Sequence, residues 1–251
     1  MLSLQAVISC LFQCALLIPP IVLATLAVRR LPKPKALIVA LIVAFLCSLL
    51  QFIQLAHVIP GYDRLNWNWG GKIASTIGTL IAIPLVGLTF KETGFRRSEK
   101  GSVVPALIAG LLICLCSWGY SFFSFGGGTT PTTETLLFEA TLPGLNEEPF
   151  FRALMPILFD RALPGRTWRI LGVDWSVGMV IATIWFGLVH GIGLSDGHVV
   201  WSVAAVLSTG LMGFGLAWIY LRTRSLILPI LFHNLINVGL ECLPYAHMWF
   251  G

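Results

Sequence analysis

Apolar residues along this chain come in long blocks rather than at alternating or heptad positions. The blocks run approximately Leu4–Val28, Ala36–Val58, Ile73–Phe90, Val103–Phe123, Leu136–Phe159, Trp175–Leu194, Val199–Leu221 and Leu226–Leu243. Each is close to the roughly 20 residues that carry an α-helix across a bilayer. The pattern predicts an all-α, polytopic membrane protein, with about eight transmembrane helices in a single transmembrane domain over residues 1–251. Pro19-Pro20 predicts a kink or break in the first block. The fifth block is the least regular, interrupted by Pro143-Gly144, Pro149 and Pro156.

Composition supports a membrane class: 57% of the 251 residues are hydrophobic and 11% charged, where a soluble domain carries about a quarter charged residues. The net charge of +5 is distributed unevenly. One set of loops holds Arg29, Arg30, Lys33 and Lys35; Lys91, Arg96, Arg97 and Lys100; Arg161, Arg166 and Arg169; and Arg222 and Arg224. The opposite set holds Arg64 and Lys72, and only Arg152 stands apart. By the positive-inside rule the basic set is cytoplasmic, which places both termini outside a cell membrane crossed many times. The charge therefore reports topology and not a nucleic-acid partner. Positive charge follows the first apolar block instead of preceding it, the pattern of a retained span rather than a cleaved leader. Aromatics such as Tyr62, Trp67, Trp69, Trp118, Tyr120, Tyr245 and Trp249 fall near the outer interface. The stretch from Phe125 to Pro131 reads as a flexible outer linker. The six cysteines lie in or beside apolar runs without a C-x-x-C pair and read as packing thiols.

Against this apolar background a few ionisable residues stand out: Glu147-Glu148 with Arg152, His190 after Phe186, and His233 with Asn237. Charged groups are expensive in hydrocarbon, so intramembrane acids and imidazoles mark a functional site by default. Glu148 and Arg152, four residues apart on one helix face, predict an ion pair. That leaves Glu147 without a partner in its own helix. Asn146 is placed as the cap of a helix that begins inside the membrane, with Pro149 in its first turn and its positive end toward Glu147. His233 and Asn237 share a face of the last block. Glu139 lies nearer the outer face and reads as cavity-lining or structural. His57, His198 and His247 fall in or beside outer loops and read as solvated.

An acid, two imidazoles and an amide in one cavity suffice to hydrolyse an amide. The acid and one imidazole deprotonate a water, and the second imidazole and the amide stabilise the oxyanion. Glu147, His190 and His233 are also a legitimate Zn²⁺ ligand set, although the H-E-x-x-H helix signature is absent. A packing cluster, an ion- or proton-coupled transporter and a non-catalytic immunity or scaffold protein are the other readings. No internal repeat of the transporter kind is visible.

Glu147-Glu148-x-x-x-Arg152, Phe186-x-x-x-His190 and His233-x-x-x-Asn237, in this order, resemble the motifs of the CAAX-protease and bacteriocin-processing (CPBP, or Abi) family of intramembrane glutamate endopeptidases. The resemblance covers roughly Leu136 to Leu243. It implies eight spans around a conical cavity that admits peptide. It implies that Glu147 and His190 activate the water, that His233 and Asn237 form the oxyanion hole, and that Glu148, Arg152 and Phe186 support them. It implies no cofactor and a membrane-anchored protein or peptide as substrate: a prenylated CAAX tail, a sorting tail or a bacteriocin precursor. The charge pattern, which turns the cavity outward, favours a carboxy-terminal tail presented from outside.

Overall fold

The computed structural model describes residues 3–53, 64–124, 128–195 and 197–250. Among these the chain is almost wholly helical. Helices α1 (Leu4–Ala15) and α2 (Ile18–Val28) are two halves of the first block. The break falls just before Pro19-Pro20, which sit in the first turn of α2, where their missing N–H groups leave no helical bond unmade. There follow α3 (Pro34–Leu50), α4 (Trp69–Leu85) and α5 (Val103–Ser124). The irregular fifth block is built from α6 (Thr133–Glu139), α7 (Leu142–Glu148), a π-helical segment (Pro149–Leu154) and α8 (Met155–Ala162). The last third comprises α9 (Val177–Gly191), α10 (Val203–Thr223), α11 (Ile227–Glu241) and α12 (Leu243–Phe250).

Among the described residues, three helical stretches are long and apolar enough to cross a bilayer: Leu4–Val28, Val103–Ser124 and Val203–Thr223. The bent pair α11–α12 makes a fourth, and α3 and α9 are shorter apolar helices. Two features were not expected from an all-helical pattern. The expected sixth and seventh blocks are trimmed by antiparallel hairpins, β1 (Thr167–Ile170) with β2 (Val173–Ser176), and β3 (Ile192–Ser195) with β4 (His198–Trp201). Leu171 and Gly172 both take positive φ, as a tight hairpin turn requires. Periodicity does not separate short apolar strands from helix ends, so the trimming was invisible in the sequence.

The core gathers around the π-helical segment and α8. Phe150, Phe151, Leu154, Met155, Leu158 and Phe159 pack with Ile181, Trp185 and Phe186 of α9 and with residues of α2 and α3. A Cβ at Gly178 would lie 2.0 Å from the carbonyl oxygen of Pro156, so α9 meets α8 backbone to backbone. Exposed Leu, Ile and Val cover the outer faces of α1–α5 and α10, as lipid contact demands.

All six cysteines are free. His247 is packed rather than solvated: its ring stacks on Phe122, centroids 4.2 Å apart. His57 and Tyr62 lie outside the described residues, as do Asp196 and the Phe125–Gly127 part of the expected linker.

Candidate active site

Glu147 and Glu148 end α7, and their surroundings differ from the expected ones in two respects. First, Asn146 is not a cap. Thr141 precedes α7, and the chain continues helically through Pro149 into the π-helical segment. Pro149 keeps helical angles of −59° and −36°, so the expected new helix start after Asn146 does not occur. Asn146 instead donates from Nδ2 to the Lys72 carbonyl and to Thr76 Oγ1, at 3.4 and 3.3 Å, tying α7 to α4. Second, Glu147 is not unpaired. Lys72, assigned above to an outer loop, lies in the first turn of α4 with its Nζ 2.5 Å from Glu147 Oε1.

The expected pair Glu148–Arg152 forms, with Arg152 Nε donating to Glu148 Oε2 at 3.0 Å and both side chains fully buried. The other oxygen of Glu148 lies 2.7 Å from His233 Nδ1. Glu148 thus links the arginine of its own segment to the imidazole of α11. The Arg152 guanidinium also lies over the Phe186 ring, 4.4 Å from its centroid, a favourable seat for a buried cation. Phe186 contacts three site residues: this arginine, His233 edge-on at 6.2 Å, and His190 at 4.3 Å.

His190 stands in the last turn of α9. Its Nδ1 lies 2.7 Å from the Phe186 carbonyl, one turn back. A carbonyl only accepts, so Nδ1 carries the proton and Nε2 faces the cavity. That Nε2 lies 3.4 Å from Glu147 Oε2, and His233 Nε2 lies 3.9 Å from the same oxygen. Glu147 Oε2 is buried and makes no hydrogen bond. Asn237, one turn beyond His233, donates from Nδ2 to Glu139 Oε2 at 2.7 Å, leaving its second N–H. Glu139 therefore holds the amide, a link that sequence spacing alone could not reveal.

Contacts between α7 and α11 fix the spacing of this group. Gly144 donates its backbone N–H to Asn234 Oδ1 at 2.7 Å, and Asn234 Nδ2 reaches back to the carbonyls of Ala140 and Thr141. A Cβ at Gly144 would lie 2.7 Å from both Asn234 Oδ1 and the Ile230 carbonyl, so a larger residue would push the helices apart.

Glu147, His190, His233 and Asn237 line one cavity of about 270 Å³, together with Ser117, Tyr120, Ser208 and Met212. The last four also border an apolar groove of about 760 Å³ between α5 and α10. Among the described residues, no three or more His, Cys, Asp or Glu side chains are disposed to hold a metal ion. His198 and Ser195 pair on the exposed hairpin β3–β4, away from these groups.

Residues 129–239 match the profile of a protein family described as type II CAAX prenyl endopeptidase Rce1-like. Over that segment the chain is similar to this family. The matched region runs from just before α6 almost to the end of α11 and contains every expected site residue. No curated protein and no solved structure matches the chain. The family it resembles there is described as one of prenyl endopeptidases. That agrees with the apolar helices surrounding the cavity.

Proposed function

We propose that the protein is an intramembrane endopeptidase in which Glu147 and His190 activate a water, and His233 and Asn237 hold the oxyanion. The observation that carries this reading is the unpartnered Oε2 of Glu147 facing His190 Nε2 at 3.4 Å. With Nδ1 of His190 committed to a carbonyl, its Nε2 and the free carboxylate oxygen face each other in the cavity. The buried carboxylate oxygen lacks a hydrogen-bond donor and needs one. A water meets that need and is then held by a base.

In the reaction the water oxygen bonds to the scissile carbonyl carbon while its proton passes to Glu147. The carbonyl oxygen takes up negative charge, stabilised by the free N–H of Asn237 and by the imidazole of His233. Glu147 then returns the proton to the amine as the C–N bond breaks. Glu148 keeps His233 oriented through Nδ1, and Arg152 balances the charge of Glu148. These steps draw only on side chains and water, so no metal is assigned.

The substrate is a membrane-anchored peptide whose apolar anchor occupies the groove between α5 and α10, since that groove and the catalytic cavity share a wall. The excess of basic residues in one set of loops supports a cytoplasmic placement of that side, with both termini and the cavity mouth outside. A carboxy-terminal tail approaching from that side fits this orientation.

Cleavage assays on the purified protein in lipid test the mechanism, with membrane-anchored peptides as substrates. Glu147→Gln and His190→Ala should each lose about 10²- to 10⁴-fold in kcat, and Asn237→Ala about 10²- to 10³-fold. Strong chelators should leave the wild type active. Cleavage that survives both Glu147→Gln and His190→Ala would sink the mechanism.

A further inference from the structure

Lys72 belongs to none of the family-like motifs and lies outside the segment that the family profile matches. Its ammonium nevertheless makes the one direct cationic contact to Glu147 among the described residues, 2.5 Å from Oε1. The lysine is not a loose surface arm. Its side chain is 19% exposed, and its helix start is anchored three times over. Asn68 caps α4 by accepting from the Gly71 N–H at 2.9 Å. Ser75 Oγ donates to the Cys47 carbonyl of α3 at 2.9 Å. Asn146, the residue before Glu147, binds the backbone carbonyl of Lys72 itself.

We propose that Lys72 is a positioning residue for the base, which rests on the endopeptidase reading above. Its ammonium holds Oε1 of Glu147, so that Oε2 alone is turned to His190 and His233. A carboxylate with both oxygens free could rotate its lone pairs off the water. With one oxygen clamped, the other has a fixed direction. The ammonium also supplies a counter-charge in a setting where an unpaired carboxylate is costly. The remaining charged and titratable groups around Glu147 have other partners. Glu148 is bound to Arg152 and His233, Glu139 to Asn237, and His190 to the Phe186 carbonyl.

Two measurements on the full-length protein in liposomes test this. The first is independent of substrate: labelling by dicyclohexylcarbodiimide, which modifies protonated carboxyl groups in apolar surroundings, mapped by mass spectrometry. In the wild type, Glu147 should resist labelling while Glu139, whose described partner is an amide, reacts. Lys72→Met should raise labelling of Glu147 about 10-fold or more, the scale of removing an adjacent opposite charge, and Lys72→Arg should not. Should Lys72→Met not fold, Lys72→Gln and the wild-type comparison of Glu147 with Glu139 carry the test. Equal labelling of Glu147 with and without the cation, or stronger labelling of Glu147 than of Glu139 in the wild type, would overturn the clamp.

The second measurement is turnover of an internally quenched peptide carrying a prenylated cysteine. Lys72→Met should lower kcat on the order of 100-fold with KM nearly unchanged, and Lys72→Arg should recover most of the loss. An active Lys72→Met beside an inactive Glu147→Gln would remove the proposal and leave the endopeptidase reading standing. An active Glu147→Gln would remove the reading itself, and with it any role for the clamp in catalysis.

Discussion

At the scale of single residues, Glu148 carries more of the structure than its neighbour. It is fully buried, with one oxygen on Arg152 and the other on His233. Glu148→Gln strips the counter-charge from a guanidinium that has no access to solvent. Breaking such a pair costs about 3–5 kcal/mol, so thermal unfolding in detergent should show a large loss, with residual turnover in the molecules that stay folded. Replacing both partners, as Glu148→Met with Arg152→Leu, should cost less than either single change, because no buried charge is then left alone. Activity should stay low, since His233 has lost the acceptor that orients it. Equal stability of Glu148→Gln and wild type would show that the pair is not the anchor described. The four-residue spacing made this pair legible in the sequence. The third member, His233, comes from a helix some eighty residues later, and no local pattern announces such a contact.

At the scale of elements, α6 acts as a bracket on one side of the site. Its last residue, Glu139, holds Asn237, and its first turn holds the approach to α4. Glu134 Oε1 accepts from the backbone N–H groups of Asn66 and Trp67 and from Trp69 Nε1, and Oε2 accepts from Asn66 Nδ2. Trp67 stacks on Phe138 while its indole N–H donates to Thr135 Oγ1. The indoles expected at headgroup depth therefore also serve as latches. Partial desolvation works against the charge on Glu134, but the donors from Asn66, Trp67 and Trp69 outweigh it and hold the carboxyl below its ordinary range. A folded-state value below the unfolded one gives stability that is present above the unfolded value, about pH 4.3, and is lost as pH falls through the folded one. The Tm gap between wild type and Glu134→Gln should accordingly be clear near neutrality and close in acid. A gap that widens as pH falls would contradict the bracket. The α7–π–α8 stretch shows the limit of motif reading at this scale. Asn146 followed by Pro149 looks like a helix start, yet proline with helical φ is also tolerated where its missing N–H falls in a widened π turn.

At the scale of the whole molecule, orientation decides which substrates can reach the cavity. Thirteen of the sixteen Lys and Arg residues lie in one set of loops by the sequence count, and this asymmetry predicts outward termini. A reporter enzyme fused after Gly251 should be active only on the outer side of the membrane. Activity on the cytoplasmic side would invert the cavity and turn the search toward tails presented from the cytosol. The hairpin β3–β4 directly follows α9, which ends one residue past His190, and the apolar groove between α5 and α10 shares lining residues with the cavity.

The sequence by itself determined the membrane class, the order of the apolar blocks and the identity of the polar residues within them. Long apolar runs and rare charges are statements about solvent, and solvent preference is written residue by residue. The Glu148–Arg152 pair and the shared face of His233 and Asn237 followed from helical spacing alone. Only the tertiary structure decided that Lys72 leaves the loop for Glu147, that Glu139 holds Asn237, and that His233 reads both glutamates. Each of these joins helices distant in the chain. Their geometry depends on how closely backbones approach at residues such as Gly144 and Gly178, which is a property of packing and not of any one segment.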